Sequence, residues 1–462
     1  MSRLLPRERG DFQTPLELAR AVVARAGGRP AAVLEPTCGE GSFLLAASRA
    51  HPRAELHGFE IDARHVRASR ARVPRARVRQ ASFFDVDWER EIAALPEPIL
   101  ILGNPPWVTS AELGSLGSRN VPRKTNFKAL RGLEALTGKS NFDVSEWMIA
   151  RLVVAAQRRR ATIAMLCKAA VARKVIELAA AMECAISGAL FCIDARAHFG
   201  AAVDAVLLVA ASDPRGRDAR WPIYASLDDA RPRAEMSLSS GRLVADADAF
   251  ERTAHLEGAS TPEWRSGLKH DCAKVMELTE RVNGMGERVH VEEEHVFPLL
   301  KSSDVANGVE RPSRSVIVPQ RALGEDTADL ERRAPKLWRY LAAHRAELSA
   351  RKSRIYRDRP PFSIFGVGPY SFARWKVAVS GLYKSFAPML IPPYRGRPVM
   401  LDDTCYFLPF DGEAAAKRAL DALRSPLARE FVAARVFWDA KRPINKALLQ
   451  RLDLRALGRR VA

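Results

Sequence analysis

Apolar and polar positions follow two alternating periods along residues 15–211, which predicts strands and helices in turn. Short apolar runs are typical of buried strands, and apolar residues that recur every three or four positions are typical of helices. The predicted strands are AAVLEP (31–36), AELHGFEID (54–62), VRQASFF (78–84), PILILGNPP (98–106), ATIAMLC (161–167), ALFCIDA (189–195) and AVDAVLLVAA (202–211). The predicted helices cover residues 15–26, 42–50, 63–72, 143–157 and 168–182.

This alternation predicts an α/β fold with a doubly wound, seven-stranded, Rossmann-like and mainly parallel sheet. Such a sheet binds its ligands beyond the carboxyl ends of the strands. From about residue 212 the alternation fades into polar segments that contain Pro, Gly and several charges. We therefore predict an N-terminal α/β domain over residues 1–225, a linker over 226–265 and a mixed α/β domain over 266–462.

The chain is strongly basic, and part of the excess charge is concentrated in one segment. The 462 residues contain 73 Lys and Arg against 54 Asp and Glu, a formal net charge of +19. Residues 351–400 hold ten of these cations and nine aromatic residues but a single acid, Asp358. A genome-wide preference for Arg explains a general excess of charge but not this local one. Cations beside aromatic rings favour a nucleic acid over a membrane as the partner.

Other features exclude several classes of protein. Six cysteines, at positions 38, 167, 184, 192, 272 and 405, form no CxxC pair, so we expect reduced thiols in a cytoplasmic protein. No apolar run approaches the length of a membrane span, and the N-terminus lacks the apolar core of a secretory signal. In HVEEEH (290–295) the two histidines do not share a helical face, so we expect no metal site.

Polar residues follow four successive predicted strands at what should be one edge of the sheet. They are Glu35, Glu60, Asp85 and Asn104. A carboxylate at Glu35 repels phosphates and suits a cationic amine, whereas an acid after the second strand is the usual partner of a ribose diol. Each acid alone is equally consistent with a helix cap or a solvated charge. Four polar strand ends at one edge favour a ligand site.

The tetrapeptide Asn-Pro-Pro-Trp (104–107) directly follows the fourth strand, and alone it predicts either a plain turn or a pocket for a planar amine. With DFQTP (11–15), EPTCGEG (35–41) and NFDVSEWMI (141–149), in this order, it resembles the gamma group of S-adenosylmethionine-dependent DNA amino-methyltransferases. PLLKSSDV (298–305) and DDTCYFLPF (402–410) resemble the C-terminal part of family members related to restriction–modification enzymes. RNA and protein-glutamine methyltransferases share the tetrapeptide type, so the ordered set carries the resemblance.

The resemblance implies the cofactor S-adenosylmethionine and a set of residues that bind it. Thr14 and Glu35 would hold its methionine end, with Glu35 facing the ammonium group. Glu60 would accept the ribose hydroxyls and Asp85 the exocyclic amine of the cofactor's adenine, on whose ring Ile61 would pack. The loop in close contact with the cofactor would consist of Pro36, Thr37, Cys38, Gly39 and Gly41.

The resemblance also implies a reaction at the exocyclic N6 amine of a flipped adenine. The Asn104 side-chain oxygen and the Pro105 carbonyl would accept its two N–H groups, with Pro106 stiffening the backbone. Trp107 would stack on the base, and Phe199 would cover its other face or else be an ordinary core aromatic. Asn104 favours adenine, because family members that act on cytosine usually carry Ser at this position.

The same family places target recognition in the C-terminal half. Residues 1–225 would then be the methyltransferase domain and 266–462 the recognition domain for double-stranded DNA, in a monomer associated with the nucleoid. A separate restriction endonuclease is a further candidate partner. The predicted DNA contacts are Lys352, Arg354, Arg357, Arg374, Lys376 and Lys384. Two alternatives remain, an RNA adenine methyltransferase and a DNA-binding module that has lost catalysis.

Overall fold

The structure is a computed structural model that describes residues 13–109, 143–212, 220–239, 242–440 and 442–461. The chain divides into two compact units between Ala247 and Asp248. Asp11, Phe12, Asn141 and Phe142, which belong to two of the family-like motifs, lie outside the described residues. Within the described part, no helix combines the length and the apolar character that crossing a bilayer requires.

The N-terminal unit is built on one large sheet that contains all seven predicted strands. These are β1 (Ala32–Glu35), β2 (Glu55–Glu60), β3 (Arg77–Gln80), β4 (Ile99–Gly103), β5 (Ala161–Lys168), β6 (Ile186–Ile193) and β7 (Ala205–Ser212). Strands β1 to β5 pair in parallel in the order β3-β2-β1-β4-β5, and β7 runs antiparallel between β5 and β6. Every residue of β1 and β4 is buried, as expected for strands covered on both faces.

The helices of this unit confirm all five predicted helical segments and add short ones. They are α1 (Leu16–Ala26), α2 (Ser42–Ala50), α3 (Ala63–Arg72), α4 (Trp88–Ala93), α5 (Val144–Ala156), α6 (Ala169–Ala181) and α7 (Ala195–Phe199). Leu18, Val22 and Val23 recur on one face of α1 and are buried in the main hydrophobic cluster of the unit. Packing of this apolar face against the sheet accounts for the position of the helix.

All seven predicted strands are present, but the sheet continues beyond them into residues 234–244, which the sequence assigned to a linker over 226–265. The sheet has ten strands in the described residues, because β8 (Arg220–Tyr224), β9 (Ala234–Ser239) and β10 (Arg242–Val244) extend it beyond β6. Residues 226–247 of the expected linker thus belong to the first unit, and residues 248–265 belong to the second. Arg25 of α1 connects the helix to these added strands. Its guanidinium lies 4.2 Å from the centroid of the Phe191 ring in β6, and it donates to the carbonyl of Asp229, between β8 and β9, at 2.9 Å.

The C-terminal unit is a mixed α/β structure with two sheets, in agreement with the predicted class. The strands of this unit are β11 (Arg265–Ser266), β12 (Glu277–Thr279), β13 (Val282–Asn283), β14 (Val296–Leu300), β15 (Arg314–Ile317), β16 (Trp375–Ser380), β17 (Met389–Ile391), β18 (Met400–Leu401) and β19 (Cys405–Phe410). One sheet has the order β11-β19-β16-β17, and the other has the order β13-β12-β15-β14-β18.

In the described residues, ten α-helices accompany these strands, and the first of them begins at the boundary between the units. They are α8 (Ala247–Arg252), α9 (Ala273–Met276), α10 (Ser302–Ala306), α11 (Leu330–Arg333), α12 (Pro335–Ala343), α13 (Arg345–Ser349), α14 (Glu413–Arg424), α15 (Pro426–Ala433), α16 (Lys446–Gln450) and α17 (Leu454–Val461). Gly366 has φ +68°, and a Cβ there would lie 2.1 Å from the Gly267 carbonyl oxygen. This glycine therefore permits close contact between two backbone segments of the protein itself.

Candidate active site

The carboxyl ends of β4, β1 and β2 bring Asn104, Glu35 and Glu60 to one edge of the sheet. Glu35 and Glu60 are the last residues of their strands, and Asn104 follows the last residue of β4. These three strands are neighbours and run parallel, so their carboxyl ends, and the three residues that follow or end them, lie at the same edge of the sheet. The topology thus groups the predicted site residues where the strand order reverses.

A loop over residues 36–41 lines this edge, and hydrogen bonds fix it to the neighbouring strand. The Gly39 amide donates to Glu60 Oε2 at 2.9 Å, and the Cys38 amide donates to the Phe59 carbonyl at 2.8 Å. Gly41 caps α2 with φ +81°, and a Cβ there would lie 2.5 Å from Ser69 Oγ. The glycine is required both by this left-handed conformation and by the close contact with Ser69.

The buried carboxyl of Glu35 is the strongest electrostatic feature of the loop region. Its side chain is 2% exposed, and Oε2 accepts a hydrogen bond from the Leu44 amide at 3.1 Å. Burial raises the pKa of Glu35 well above its usual range, the Leu44 amide acts in the opposite direction, and the charge of Glu60 raises it further. A cation that binds beside Glu35 would restore its ionised form.

Glu60, Ile61 and Asp85 offer the groups expected of a nucleoside site. Glu60 accepts one backbone hydrogen bond on each oxygen, from Gly39 and from Asp62, and each oxygen keeps a further lone pair for a hydroxyl. Ile61 is a large apolar side chain that is 48% exposed. Asp85 is exposed, and its carboxylate accepts no hydrogen bond from the described residues.

These residues fit the chemistry of S-adenosylmethionine. A buried carboxyl group, a diol partner and an exposed apolar surface match the ammonium, ribose and adenine ring of that molecule. Thr37 Oγ1 is buried without a hydrogen-bond partner in the described structure, and so remains available to a ligand. The positions assigned from the resemblance are thus chemically consistent with the cofactor.

Asn104 presents an oxygen that nothing in the described residues uses. Its Nδ2 donates to Thr14 Oγ1 at 3.4 Å, whereas its Oδ1 is buried and has no hydrogen-bond partner. The carbonyl of Pro105 likewise accepts no hydrogen bond within the described chain. Since buried polar atoms are nearly always paired, the unused oxygen of Asn104 points to a ligand with an N–H group, and the Pro105 carbonyl is an unused acceptor on the next residue along the chain.

Trp107 and Phe199 lie in contact, although 92 residues separate them. Their ring centroids are 5.3 Å apart and the rings meet edge to face at 73°. Two rings that hold a base between them lie about 7 Å apart, twice the usual contact distance. In this arrangement the rings pack on each other, and a base could enter between them only if they turned and separated.

Two residues outside the predicted set fix the segments of the site, Lys168 the tetrapeptide and Gln13 the loop over residues 36–41. Lys168, the last residue of β5, donates from Nζ to the Trp107 carbonyl at 3.1 Å and to Asp143 Oδ2 at 2.7 Å. Gln13 accepts from the Glu40 amide at 3.1 Å, beside the Thr14 that contacts Asn104. Lys168 was detectable in the sequence by its position directly after the predicted strand over residues 161–167.

Five of the six predicted DNA contacts in the C-terminal unit are exposed, and the sixth is buried. The exposed side chains are Lys352, Arg354, Arg357, Arg374 and Lys384. Lys376 is 1% exposed within β16, and its Nζ donates to the Ala373 carbonyl at 2.7 Å. Its interpretation as a DNA contact is wrong, because a lysine enclosed in this way does not reach a phosphate.

We expect Lys376→Met to weaken the pH dependence of stability of the C-terminal unit. Burial lowers the pKa of Lys376 to about 7, whereas an unfolded lysine titrates near about 10.4. Between these values the unfolded chain binds a proton that the folded chain does not, so stability rises with pH across that window. Chemical denaturation should show that the free energy of unfolding rises by a few kcal/mol across this pH window, on the order of 1.4 kcal/mol per pKa unit, in the wild type only.

The control for this prediction is Lys352→Met, which removes a lysine at an exposed position. A pH dependence of the Lys376→Met variant equal to that of the wild type would contradict the assignment of the dependence to Lys376.

Comparisons with known proteins give a relative that matches along the whole chain, and they include a solved structure of the same fold. The chain is 41% identical over 468 residues to the type II methyltransferase M.NspV from Nostoc sp., covering 98% of this chain and 97% of that one. It matches the structure of the type IIL restriction–modification enzyme MmeI in complex with DNA with a TM-score of 0.58 at 13% identity. That match covers 94% of this chain but 64% of the MmeI chain, so this chain spans less than two thirds of that enzyme. No family model matches.

Proposed function

This chain belongs to the type II methyltransferases of restriction–modification systems, and on that premise we propose that it methylates the N6 amine of adenine at a specific DNA sequence. The cofactor is S-adenosylmethionine. The observation that carries the proposal is the pair of unused acceptors at Asn104 and Pro105, at the same sheet edge as Glu35 and Glu60.

The two acceptors explain how the protein would activate a poor nucleophile. The exocyclic nitrogen of adenine is weakly nucleophilic, because its lone pair is delocalised into the ring. Hydrogen bonds from its two N–H groups to Asn104 Oδ1 and to the Pro105 carbonyl would draw the nitrogen towards tetrahedral geometry and expose the lone pair. Acceptors fixed in advance in a buried site favour this charge distribution more strongly than water does.

The cofactor residues would position the methyl donor for this step. When bound, S-adenosylmethionine supplies an electrophilic methyl group on its sulfonium. Glu35 would pair with the ammonium group, Glu60 would accept the ribose hydroxyls, and Ile61 and Asp85 would hold the adenine ring and its amine. The residues of the chain would then act by orientation and electrostatics, without a covalent enzyme intermediate.

Lys168 would keep the tetrapeptide aligned during the reaction. It bonds both the Trp107 carbonyl and the Asp143 carboxylate, which also caps the first turn of α5. The base would leave the duplex to reach Asn104 and would stack on Trp107 once that ring and Phe199 move apart. This motion of the rings is part of the proposal.

The C-terminal unit would hold the double-stranded DNA. Its five exposed predicted contacts carry positive charge in a segment that contains one acid, and MmeI has been solved with DNA bound. Phosphate neutralisation by such residues provides most of the affinity of proteins for DNA. We further propose that the chain works as a monomer and that a separate endonuclease shares its target sequence.

Incubation with methyl-labelled S-adenosylmethionine tests the substrate class. We expect acid-precipitable label with unmethylated genomic DNA and at most about 1% as much with total RNA, since the site must be shaped for one nucleic acid to be specific. Sequencing of the treated DNA should then place the modified adenines in one short sequence. Label in RNA alone would replace the DNA proposal, and binding to DNA without transfer would favour an inactive module.

A further inference from the structure

We propose that a basic pocket in the C-terminal unit is a binding site for backbone phosphodiesters of DNA, which it grips independently of base sequence. The pocket has a volume of about 370 Å³ and is lined by twelve residues of the segment 345–362, which do not include the two acids of that segment, Glu347 and Asp358. The inference rests on the proposed function, in that it assumes a DNA substrate. On this inference, binding of the DNA phosphates takes place in a defined concave site and not only through separate charges on the surface.

The charge of the lining is what identifies the ligand as an anion. Five cations line the pocket, and none of its lining residues is acidic. They are Arg345, Arg351, Lys352, Arg357 and Arg359. Five like charges around one concavity repel each other unless an anion lies among them. A bound polyanion is therefore the simplest reason for the arrangement.

The cations of the pocket have no carboxylate partner among the described residues, whereas several other cations of the same unit do. Arg333, Arg435 and Arg451 form ion pairs with Glu325 or Glu257 at 2.7 to 3.0 Å. Within the described residues, none of the five pocket cations forms such a pair. Charges that the protein leaves uncompensated are the ones available to an external phosphate.

Arg351 stabilises the shape of the pocket through hydrogen bonds to the backbone of its lining segment. Its Nε donates to the Leu348 carbonyl at 2.7 Å and its Nη1 to the Ser363 carbonyl at 2.8 Å, which joins the two ends of the lining segment. The guanidinium also lies 3.7 Å from the centroid of the Tyr356 ring, whose hydroxyl donates to the Lys269 carbonyl at 3.2 Å. A preformed pocket loses less conformational entropy when it binds a strand.

Two further rings orient the outer cations. The guanidinium of Arg345 lies 5.4 Å from the Phe362 ring centroid, and that of Arg359 lies 5.9 Å from the Phe365 centroid. Pro360 and Pro361 form a stiff wall next to them. The charged groups are thus held in place by packing, which leaves their donors free for an anion.

The side-chain types in the pocket favour phosphate over base recognition. The lining contains no Asn, Gln, Asp or Glu, the residues that read adenine and cytosine edges. An Arg can read guanine with two parallel hydrogen bonds, but a Lys in its place keeps the charge and loses that geometry. Exchange of Arg for Lys therefore separates the two roles.

The test compares DNA binding of the full chain with that of the double variant Lys352→Ala/Arg357→Ala. Affinity for a random duplex should fall about tenfold at low salt, and the slope of log Kd against log salt should decrease by about 2. The conservative variant Arg357→Lys should retain the wild-type slope. The matched control Arg418→Ala/Arg429→Ala removes two exposed charges from α14 and α15, and it should leave both the slope and the methyl transfer unchanged.

Each other outcome would overturn the inference in an identifiable way. An unchanged slope in the double variant would show that the pocket does not hold DNA phosphates. A loss confined to one DNA sequence, shared by Arg357→Lys, would assign the pocket to base reading. Displacement of DNA by millimolar inorganic phosphate would indicate a site for a small anion. Because binding is measured without methyl transfer, failure of the proposed enzymatic function leaves this result interpretable.

Discussion

Replacing Asn104 with alanine is expected to reduce the methyl-transfer rate by about 10²–10³-fold, the usual cost of removing one prearranged polar group that stabilises a transition state. The side-chain oxygen is buried and unpaired in the described structure, so under the proposed function it is available to the substrate amine. Affinity for S-adenosylmethionine should change little, because no cofactor role is assigned to this oxygen. Single-turnover transfer and equilibrium binding of the cofactor measure the two effects separately.

Two companion variants make the Asn104 prediction specific. Asn104→Asp keeps an acceptor oxygen at the same position and should retain more activity than the alanine variant. Asn307→Ala removes an exposed asparagine side chain at the end of α10 and should leave transfer unchanged. If Asn104→Ala kept more than about a tenth of the wild-type rate, activation of the amine by this oxygen would be ruled out as the main catalytic effect.

Glu35→Gln is expected to weaken binding of S-adenosylmethionine by about 30-fold or more, because removing one partner of a buried charge pair costs about 2 kcal/mol or more. Glutamine has nearly the same shape and can still accept the Leu44 amide, so the fold should be preserved. Isothermal titration of the cofactor gives the loss directly. Glu310→Gln, at an exposed position, provides the matched control.

The pH dependence of binding gives Glu35 a second signature. Burial raises the pKa of this carboxyl in the free protein, and a bound ammonium group would lower it again. Binding should therefore release a proton, so that affinity increases as the pH rises towards the raised pKa of the free protein and then levels off. The Gln variant should lose this dependence. The opposite slope in the wild type, or an identical slope in both proteins, would contradict the role of Glu35.

The fold of the catalytic half could be predicted because its strands are covered on both faces. Uninterrupted apolar runs such as those of β1 and β4 then appear directly in the sequence, and the polar residues that end them mark the edge of the site. Strands β8 to β10 escaped the same reasoning. They extend the sheet at its outer side, they are only partly buried, and Pro222 interrupts β8.

Part of the candidate site could likewise be predicted from the sequence, and part of it could not. Glu35, Glu60 and Asn104 were predictable from the strand ends, whereas contacts between distant segments were not. The bond from Asn104 to Thr14 and the contact of Trp107 with Phe199 depend on tertiary packing that no local pattern encodes. Lys376 was misassigned because its charge was read without its neighbours, although WKVAVS has the apolar character of a buried strand.

The identity of the nucleoside that receives the methyl group tests the central claim most directly. DNA treated with wild type or with Asn104→Ala and labelled S-adenosylmethionine would be digested to nucleosides and analysed by mass spectrometry. We predict that the wild type produces N6-methyldeoxyadenosine alone and that the alanine variant produces at most about 1% of that amount. Label in N4-methyldeoxycytidine, or equal amounts of product from both proteins, would contradict the assignment of Asn104 to the activation of adenine.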